Sequence, residues 1–173
     1  MRRASSRLHG KKTIIFLAAA IILATASFLF FARLRILCLV VEVAESKEIA
    51  WAAPIGQNEQ FSLHYTHSVD LLPVHDSYTV KDKNLILVET RFLSWGAGLG
   101  YMGEGILTGE KGWTIIMDMH RQLAVLPLRV GTIAVHTLLY RGKKIYLLNY
   151  VPAQTLVHIR VKNLFPYQYR KYR

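Results

Sequence analysis

Residues 61–80 read FSLHYTHSVDLLPVHDSYTV, and their pattern indicates the class of the fold. Apolar and polar residues alternate in both of its halves, so every second side chain falls on the same face of an extended chain. The apolar positions are Phe61, Leu63 and Tyr65 in the first half, and Val74, Tyr78 and Val80 in the second. A period of two is typical of half-buried β-strands, so the stretch predicts two neighbouring strands joined by a loop at 68–73.

Strands of the same kind are predicted on both sides of this stretch. They lie at 36–43, 85–92, 113–119, 123–130, 132–140, 145–150 and 157–162. Segments 45–60 and 96–112 are polar or rich in glycine and predict irregular structure. Short strands that recur every ~8–12 residues are typical of a sandwich or barrel. The sequence therefore predicts an all-β class, with a single β-sandwich or barrel-like domain at 36–166.

An apolar segment at 13–32 precedes this domain and contains no charged residue, proline or glycine. About 20 apolar residues are enough to cross a hydrocarbon core of ~30 Å, so the segment predicts one transmembrane helix. Segment 1–12 carries five basic and no acidic residues, namely Arg2, Arg3, Arg7, Lys11 and Lys12. By the positive-inside rule this segment stays in the cytoplasm. The chain is thus predicted to cross the cytoplasmic (inner) membrane once, with the β domain on the extracytoplasmic or periplasmic side.

A cleaved signal peptide is the alternative to this signal anchor. Ala24-Thr25-Ala26 has the small residues of a cleavage site. The apolar stretch continues past that site as Phe28-Leu29-Phe30-Phe31, which favours an uncleaved anchor. Both alternatives place the β domain outside the cytoplasm.

The net charge of +11 does not indicate a nucleic-acid partner, because no nucleic-acid-binding motif accompanies it. The basic and aromatic tail at 167–173 is predicted to be a solvated, frayed terminus, with contact to anionic lipid headgroups as the alternative. Cys38 is the only cysteine in the sequence, so the domain has no internal disulfide. A buried position in the first strand is the favoured prediction for its side chain.

The densest group of polar side chains lies around the loop at 68–73. If Tyr65 pairs with Tyr78, then His67 lies opposite Asp76 on the inner face, within hydrogen-bonding distance. An inward-facing pair of this kind is a candidate binding site, and a purely structural pair at the rim is the alternative. Ser68 belongs to the same group and is a candidate ligand-binding or interaction residue.

Two other chemistries are disfavoured by the same extended geometry. His67 and Ser68 are neighbours and point to opposite faces of a strand, which argues against a nucleophile and its base. In the predicted register His64 and His75 lie ~13 Å apart along the strands, too far to share a zinc ion. No catalytic residue, metal site or cofactor is therefore predicted, and the domain is not expected to be an enzyme.

A second candidate region begins in the predicted strand at 85–92 and continues into the segment that follows it. Glu89 and Arg91 share a face of that strand and are expected to pair with each other. Trp95 is followed by Gly96 and Gly98, which can form a recognition loop with bare backbone amides beside an aromatic wall. A turn built by the glycines is the favoured alternative.

The order of these segments resembles a known bacterial family. The residues that carry the resemblance are Tyr65-Thr66-His67-Ser68-Val69-Asp70, Pro73-Val74 with Asp76, Leu87-Val88-Glu89-Thr90-Arg91-Phe92, Gly96-Ala97-Gly98 and Gly112-Trp113. They are similar to the domain-of-unknown-function family numbered eighteen-fifty, whose members tend to be encoded beside TRAP transporters of the TAXI subclass. The resemblance covers 36–148 and implies an extracytoplasmic accessory of such a secondary transporter.

Three functions follow from these observations, in decreasing order of preference. The first is a membrane-anchored accessory that docks the TRAP membrane subunit or its substrate-binding protein without catalysis. The second is a small-ligand-binding domain with Tyr65, His67 and Asp76 at the open end of the β structure. The third is an envelope hydrolase, which lacks a nucleophile that faces His67 in the predicted geometry.

Overall fold

The computed structural model describes residues 3–93 and 103–172, with the backbone alone for 3–13 and Ala32. Two helices, eleven strands and one 3-10 turn occur in these ranges. In chain order they are α1 (Arg3–Arg33), β1 (Ile36–Val43), β2 (Ile49–Pro54), β3 (Gln60–Thr66), β4 (Pro73–Lys81), β5 (Asn84–Phe92), β6 (Ile106–Glu110), β7 (Trp113–Leu123), β8 (Leu126–Arg129), β9 (Thr137–Tyr140), β10 (Lys143–Tyr146), the 3-10 turn Leu147–Asn149, β11 (Leu156–Leu164) and α2 (Pro166–Arg170).

Helix α1 and the remainder of the chain form two separate units, Met1–Ile36 and Leu37–Arg173. Within the helix, Ile14–Phe31 is long and apolar enough to cross a membrane, and none of this segment is buried. A core helix of a globular protein would bury an apolar face, whereas a membrane anchor presents it to lipid. The chain therefore begins with a helix suited to anchor it by a single pass.

The second unit is a sandwich of two antiparallel sheets. The smaller sheet has the order β2-β1-β11-β8, and the larger has the order β10-β9-β3-β4-β5-β7-β6. One apolar cluster lies between them and includes Val41 and Ile159 from the smaller sheet with Leu63, Tyr78 and Phe92 from the larger. The predicted all-β class is confirmed. The mostly alternating burial along β3 and β5 is the pattern expected for strands with one face on a core.

The predicted register of β3 and β4 is wrong. Tyr78 pairs with Phe61 rather than with Tyr65, and Tyr65 pairs with Val74. The hairpin closes earlier than expected because the segment at 67–72 forms a compact turn. His67 N donates to Leu72 O (2.8 Å), and Leu71 N donates to His67 O (2.9 Å). The faces of the strands are unchanged, since the observed register differs from the predicted one by an even number of residues.

Other elements differ from the sequence-based predictions in extent. Strands β2 and β6 lie in segments that were predicted to be irregular. The predicted strand at 132–140 is shorter, because the chain turns through 132–135 before β9 begins at Thr137. Pro127 lies in β8 at an edge of the smaller sheet, as its missing N–H requires.

The C-terminal tail is not a frayed end over the part that the structure describes. Helix α2 follows β11, and Tyr169 and Tyr172 pack on a second apolar cluster. This cluster contains Cys38 and Val40 from the opposite face of the smaller sheet. The prediction that Cys38 is buried is confirmed, and burial raises the pKa of its thiol to about 11.

Candidate functional site

A cavity of about 350 Å³ opens at one end of the sandwich. Its walls come from the end of β3, the turn at 67–72, the segment at 129–136 and Gln154. Among the residues predicted as a site, Tyr65, His67 and Ser68 line it. Arg129 and His136 also line it, although they lie more than 60 residues later in the sequence. The cavity therefore brings together side chains from two distant parts of the chain.

His67 lies in the turn and contacts Asp70 rather than Asp76. His67 Nδ1 is 3.0 Å from Asp70 Oδ2 and 3.3 Å from the Asp70 amide nitrogen. Nδ1 accepts from the amide when it carries no proton, and it donates to the carboxylate when it is protonated. Both states hold the imidazole against the turn. The predicted His67–Asp76 pair does not form, because β3 ends at Thr66 and Asp76 lies opposite Leu63.

Asp76 does face inward, as predicted, but its partners are hydroxyl groups. Its carboxylate accepts hydrogen bonds from Thr90 Oγ1 and from the Tyr65 hydroxyl. Burial raises the pKa of Asp76, although both hydrogen bonds act in the opposite direction. Tyr65 thus connects the cavity wall to a carboxyl group inside the sandwich.

His136 is the buried histidine of this cavity. Its Nδ1 accepts a hydrogen bond from the Gly131 amide (3.3 Å), which leaves the proton of a neutral imidazole on Nε2. Burial lowers the pKa of His136, so the neutral form persists at neutral pH. The imidazole lies 5.6 Å from the Tyr65 ring, centroid to centroid. His136 is a site residue that the sequence does not reveal, because nothing in its neighbourhood indicates that it lies beside Tyr65.

Arg129 supplies a cation at the cavity. It is the last residue of β8, and its guanidinium donates through one Nη to Gln154 O (2.8 Å). That bond uses one of its five N–H donors and fixes the side chain beside the cavity. Arg129 and the neutral His136 are both donors of hydrogen bonds, so this cavity is suited to an acceptor-rich ligand such as a carboxylate.

Two loops surround the mouth of the cavity and expose aliphatic side chains. Val69 is 70% exposed and Leu71 62% in the turn at 67–72, while Ile133 is 58% and Val135 45% exposed in the neighbouring loop. A hydrogen bond from Thr66 N, at the end of β3, to Ala134 O (2.8 Å) holds the second loop beside the start of the turn. These four side chains are referred to below as the apolar rim.

The backbone of the apolar rim is strained at two of its residues. Leu71 has φ 54° and Val135 has φ 44°, in the left-handed region that side chains with a Cβ rarely adopt. For a β-branched residue such as Val135 the conformation is especially unfavourable. Strain of this kind is concentrated at sites of binding and switching. The rim therefore combines exposure with a fixed and costly loop conformation.

Ser68 is exposed and lines the same cavity as His67. The prediction that the two point to opposite faces rested on an extended strand, and it is wrong because both residues lie in the turn after β3.

The distance argument against a shared site of His64 and His75 is also wrong. The two residues are directly opposite in β3 and β4, and their rings stack with centroids 3.7 Å apart and planes at 12°. Trp113 extends the stack, 4.9 Å from His75. Burial and the neighbouring charges of His75 and Lys144 lower the pKa of His64 to about 4, so this imidazole is neutral at neutral pH. In the described residues no group of three or more His, Cys, Asp or Glu is placed to hold a metal ion.

The second candidate region is described in part. Arg91 donates to Glu89 through Nε (2.6 Å) and Nη2 (3.1 Å), so the predicted pairing is confirmed. Trp95, Gly96 and Gly98 lie outside the described residues. The ion pair lies on the outer face of the larger sheet, and neither of its residues lines the cavity.

Comparison with known protein families gives a match over half of the chain. A family model described as "Domain of unknown function (DUF1850)" matches residues 61–147. No curated protein and no solved structure matches the chain. The matched residues contain the apolar rim and the cavity walls from Tyr65 to His136, and they leave out only Gln154 among the residues that line the cavity.

Proposed function

The chain belongs to the DUF1850 family of domains of unknown function, and from this premise we propose that it is a membrane-anchored docking protein. Its partner in this proposal is a transport system of the TAXI-type TRAP class, either the membrane subunit or the substrate-binding protein. The resemblance of the sequence to a family that is encoded beside such transporters supports the choice of partner. The apolar rim is the proposed contact surface, and no catalysis is involved.

The exposure of the apolar rim is the observation that carries this proposal. Exposed aliphatic side chains forgo about 25 cal/mol of stabilisation for each Å² that stays in water. Four of them on two neighbouring loops favour an interaction site. The strained backbone at Leu71 and Val135 adds to this cost, and a partner that covers the rim would offset it.

The position of the rim within the sandwich also supports docking. Arg129 and Gln154 line both the cavity and a neighbouring hollow that is formed by Val43 and Glu45. The rim therefore lies towards the end of the sandwich where β1 finishes. A domain that is held at a membrane by a helix meets other membrane-bound proteins at a raised effective concentration.

The test replaces two rim residues by charged ones. We expect Val69→Asp/Leu71→Asp to reduce the recovery of the transporter subunits by at least ~10-fold, because two buried carboxylates oppose an apolar contact. The measurement is co-purification of the full chain from membranes that also contain the permease and substrate-binding protein of a TAXI-type system, after crosslinking.

The matched control is Ile106→Asp/Leu107→Asp. Ile106 and Leu107 are exposed aliphatic residues on β6 and do not belong to the rim. This control should recover the subunits as the unchanged chain does. Capture of no subunit by the unchanged chain, or equal capture by the rim variant, would contradict the proposal.

A small-ligand-binding role is the second candidate, and the donors in the cavity favour it. Arg129 and His136 make the cavity suited to a small carboxylate. We expect succinate or citrate to raise the Tm of the full chain in detergent, and Arg129→Gln to abolish the rise. The exposed Lys83→Gln serves as the control, and a rise that persists in Arg129→Gln would exclude this cavity as the site.

A further inference from the structure

A second concave site lies away from the cavity and the apolar rim. It is a groove of about 310 Å³ between β2, the β9–β10 hairpin and the C-terminal segment. Its walls are mostly apolar or aromatic and include Trp51, Ala53, Ile145, Tyr150 and Tyr172. None of the residues that line the groove lines the first cavity. The groove is therefore an independent site.

One wall of the groove is fixed by a network around Glu59. The Glu59 carboxylate accepts from Arg141 Nε (2.6 Å) and Nη2 (2.9 Å) and from the Tyr140 hydroxyl (2.9 Å). The hydrogen bond with Arg141 is the main cause that lowers the pKa of Glu59 to about 2, so the carboxylate stays charged. Glu59 thereby neutralises Arg141 and holds Tyr140 in place.

Two further cations at the groove have no such counter-ion. Lys143 and Lys144 line it, both are exposed, and neither has an acidic partner within 4.0 Å among the described residues. The groove thus combines aromatic walls with two amines that carry uncompensated charge. An anion with an apolar part matches both features.

The groove lies near the start of β1. Pro54 on its wall pairs with Cys38, the third residue of that strand. Only Leu34 and Arg35 separate the last residue of α1 from the first residue of β1. Tyrosine and tryptophan are enriched at membrane–water interfaces, and lysines near a membrane attract anionic headgroups.

We propose that this groove binds the headgroup of an anionic phospholipid from the membrane that holds the anchor. In this arrangement Lys143 contacts the phosphate, Lys144 adds its charge at the edge of the groove, and the exposed ring of Tyr150 packs against the glycerol. The charge of the groove and the apolar character of its walls favour a lipid over a free phosphate ion. Binding would fix the β domain on the bilayer through a contact that is separate from the helix.

The test measures the lipid that the full chain retains. The chain is purified in detergent, delipidated, and mixed with equal amounts of phosphatidylglycerol and phosphatidylcholine before native mass spectrometry. We expect the unchanged chain to retain phosphatidylglycerol in preference to phosphatidylcholine. We expect Lys143→Ala/Lys144→Ala to reduce this preference at least ~10-fold, because two cations near a membrane surface contribute that much attraction.

The matched control is Lys81→Ala/Lys83→Ala, which removes the same charge from the exposed β4–β5 turn. This control should keep the preference of the unchanged chain, because it leaves Lys143 and Lys144 in the groove. The basic N-terminus is present in every variant and so does not cause a difference between them. Equal preference in the two double variants would assign the effect to net charge and overturn the proposal. Displacement of the lipid by excess inorganic phosphate would also overturn it, because the groove would then be a site for a free ion. Neither result bears on the apolar rim, whose docking test uses different residues.

Discussion

Replacing Lys162 by methionine should lower the free energy of unfolding of the β domain by about 3–5 kcal/mol. Lys162 Nζ on β11 donates to Glu42 Oε2 on β1, and Glu42 is only 1% exposed. A carboxylate inside a protein is tolerated when a cation is beside it, and its desolvation is uncompensated when that cation is removed. Methionine keeps the length and volume of the lysine stem, so the loss reports on charge rather than on packing.

The measurement is thermal unfolding of the full chain in detergent, in which the circular dichroism of the β-sheets is monitored as the temperature rises. The loss should appear as a fall in Tm of roughly 10–20 °C, since a domain of this size loses a few degrees for each kcal/mol. The double variant Glu42→Gln/Lys162→Met should recover most of the loss, because no charge is then left without a partner.

The exposed pair of Arg121 and Glu104 is the matched control for this experiment. Arg121 Nη2 lies 2.8 Å from Glu104 Oε2, and both side chains are about half exposed. Solvent screens such a pair, so Arg121→Met should change Tm by no more than ~2–3 °C. A Lys162→Met variant as stable as Arg121→Met would show that Glu42 does not depend on its partner.

Alternation in the sequence was sufficient to identify which faces of the strands are buried, but not how the strands pair. Phe61, Leu63, Tyr65 and Tyr78 all point to the core side of the larger sheet, as their spacing predicted. The register could not be predicted, because a shift by an even number of residues leaves the pattern of faces intact. The turn at 67–72 decides it, through hydrogen bonds and a left-handed Leu71 that no local sequence rule indicates.

Strands β2 and β6 were missed for opposite reasons. In β2, the neighbouring residues Trp51 and Ala52 are both buried, because one faces the main core and the other the cluster under α2. All five residues of β6 are exposed at the edge of the larger sheet. Neither strand has one buried and one solvated face, so neither shows the period of two on which the prediction depended.

The candidate site was predicted in part. Tyr65, His67 and Ser68 line the cavity, whereas Asp76 belongs to the network behind it. Arg129 and His136 were not predicted, because the contact that brings their segment to β3 is a long-range one. Periodicity reports which face of a strand is buried and carries no information about which distant loop covers its end.

The second prediction with a large effect concerns Asp76. Its effect arises from the hydroxyl groups that donate hydrogen bonds to the Asp76 carboxylate. Asp76→Ala should lower the free energy of unfolding by about 2–4 kcal/mol, because Tyr65 and Thr90 would lose their acceptor inside the sandwich. Asp76→Asn keeps an acceptor oxygen and carries no charge, so it should be as stable as the unchanged chain or more stable at neutral pH. Thermal unfolding of the full chain in detergent measures both variants.

The pH dependence separates the charge of Asp76 from its hydrogen bonds. The pKa of Asp76 is raised in the folded state, so the folded chain binds more protons than the unfolded one between the two pKa values. The contribution of Asp76 to the free energy of unfolding is therefore largest below its pKa in the unfolded chain, near 3.8. It is lost as the pH rises through the pKa of Asp76 in the folded chain. The gain in Tm of Asp76→Asn over the unchanged chain should therefore grow from pH 4 towards neutral pH. A gain that stays constant would mean that the pKa of Asp76 does not change on folding, and a loss that grows with pH would mean that the ionised carboxylate is the stable form beside Tyr65. In that second case the folded structure would lower the pKa of Asp76 instead of raising it.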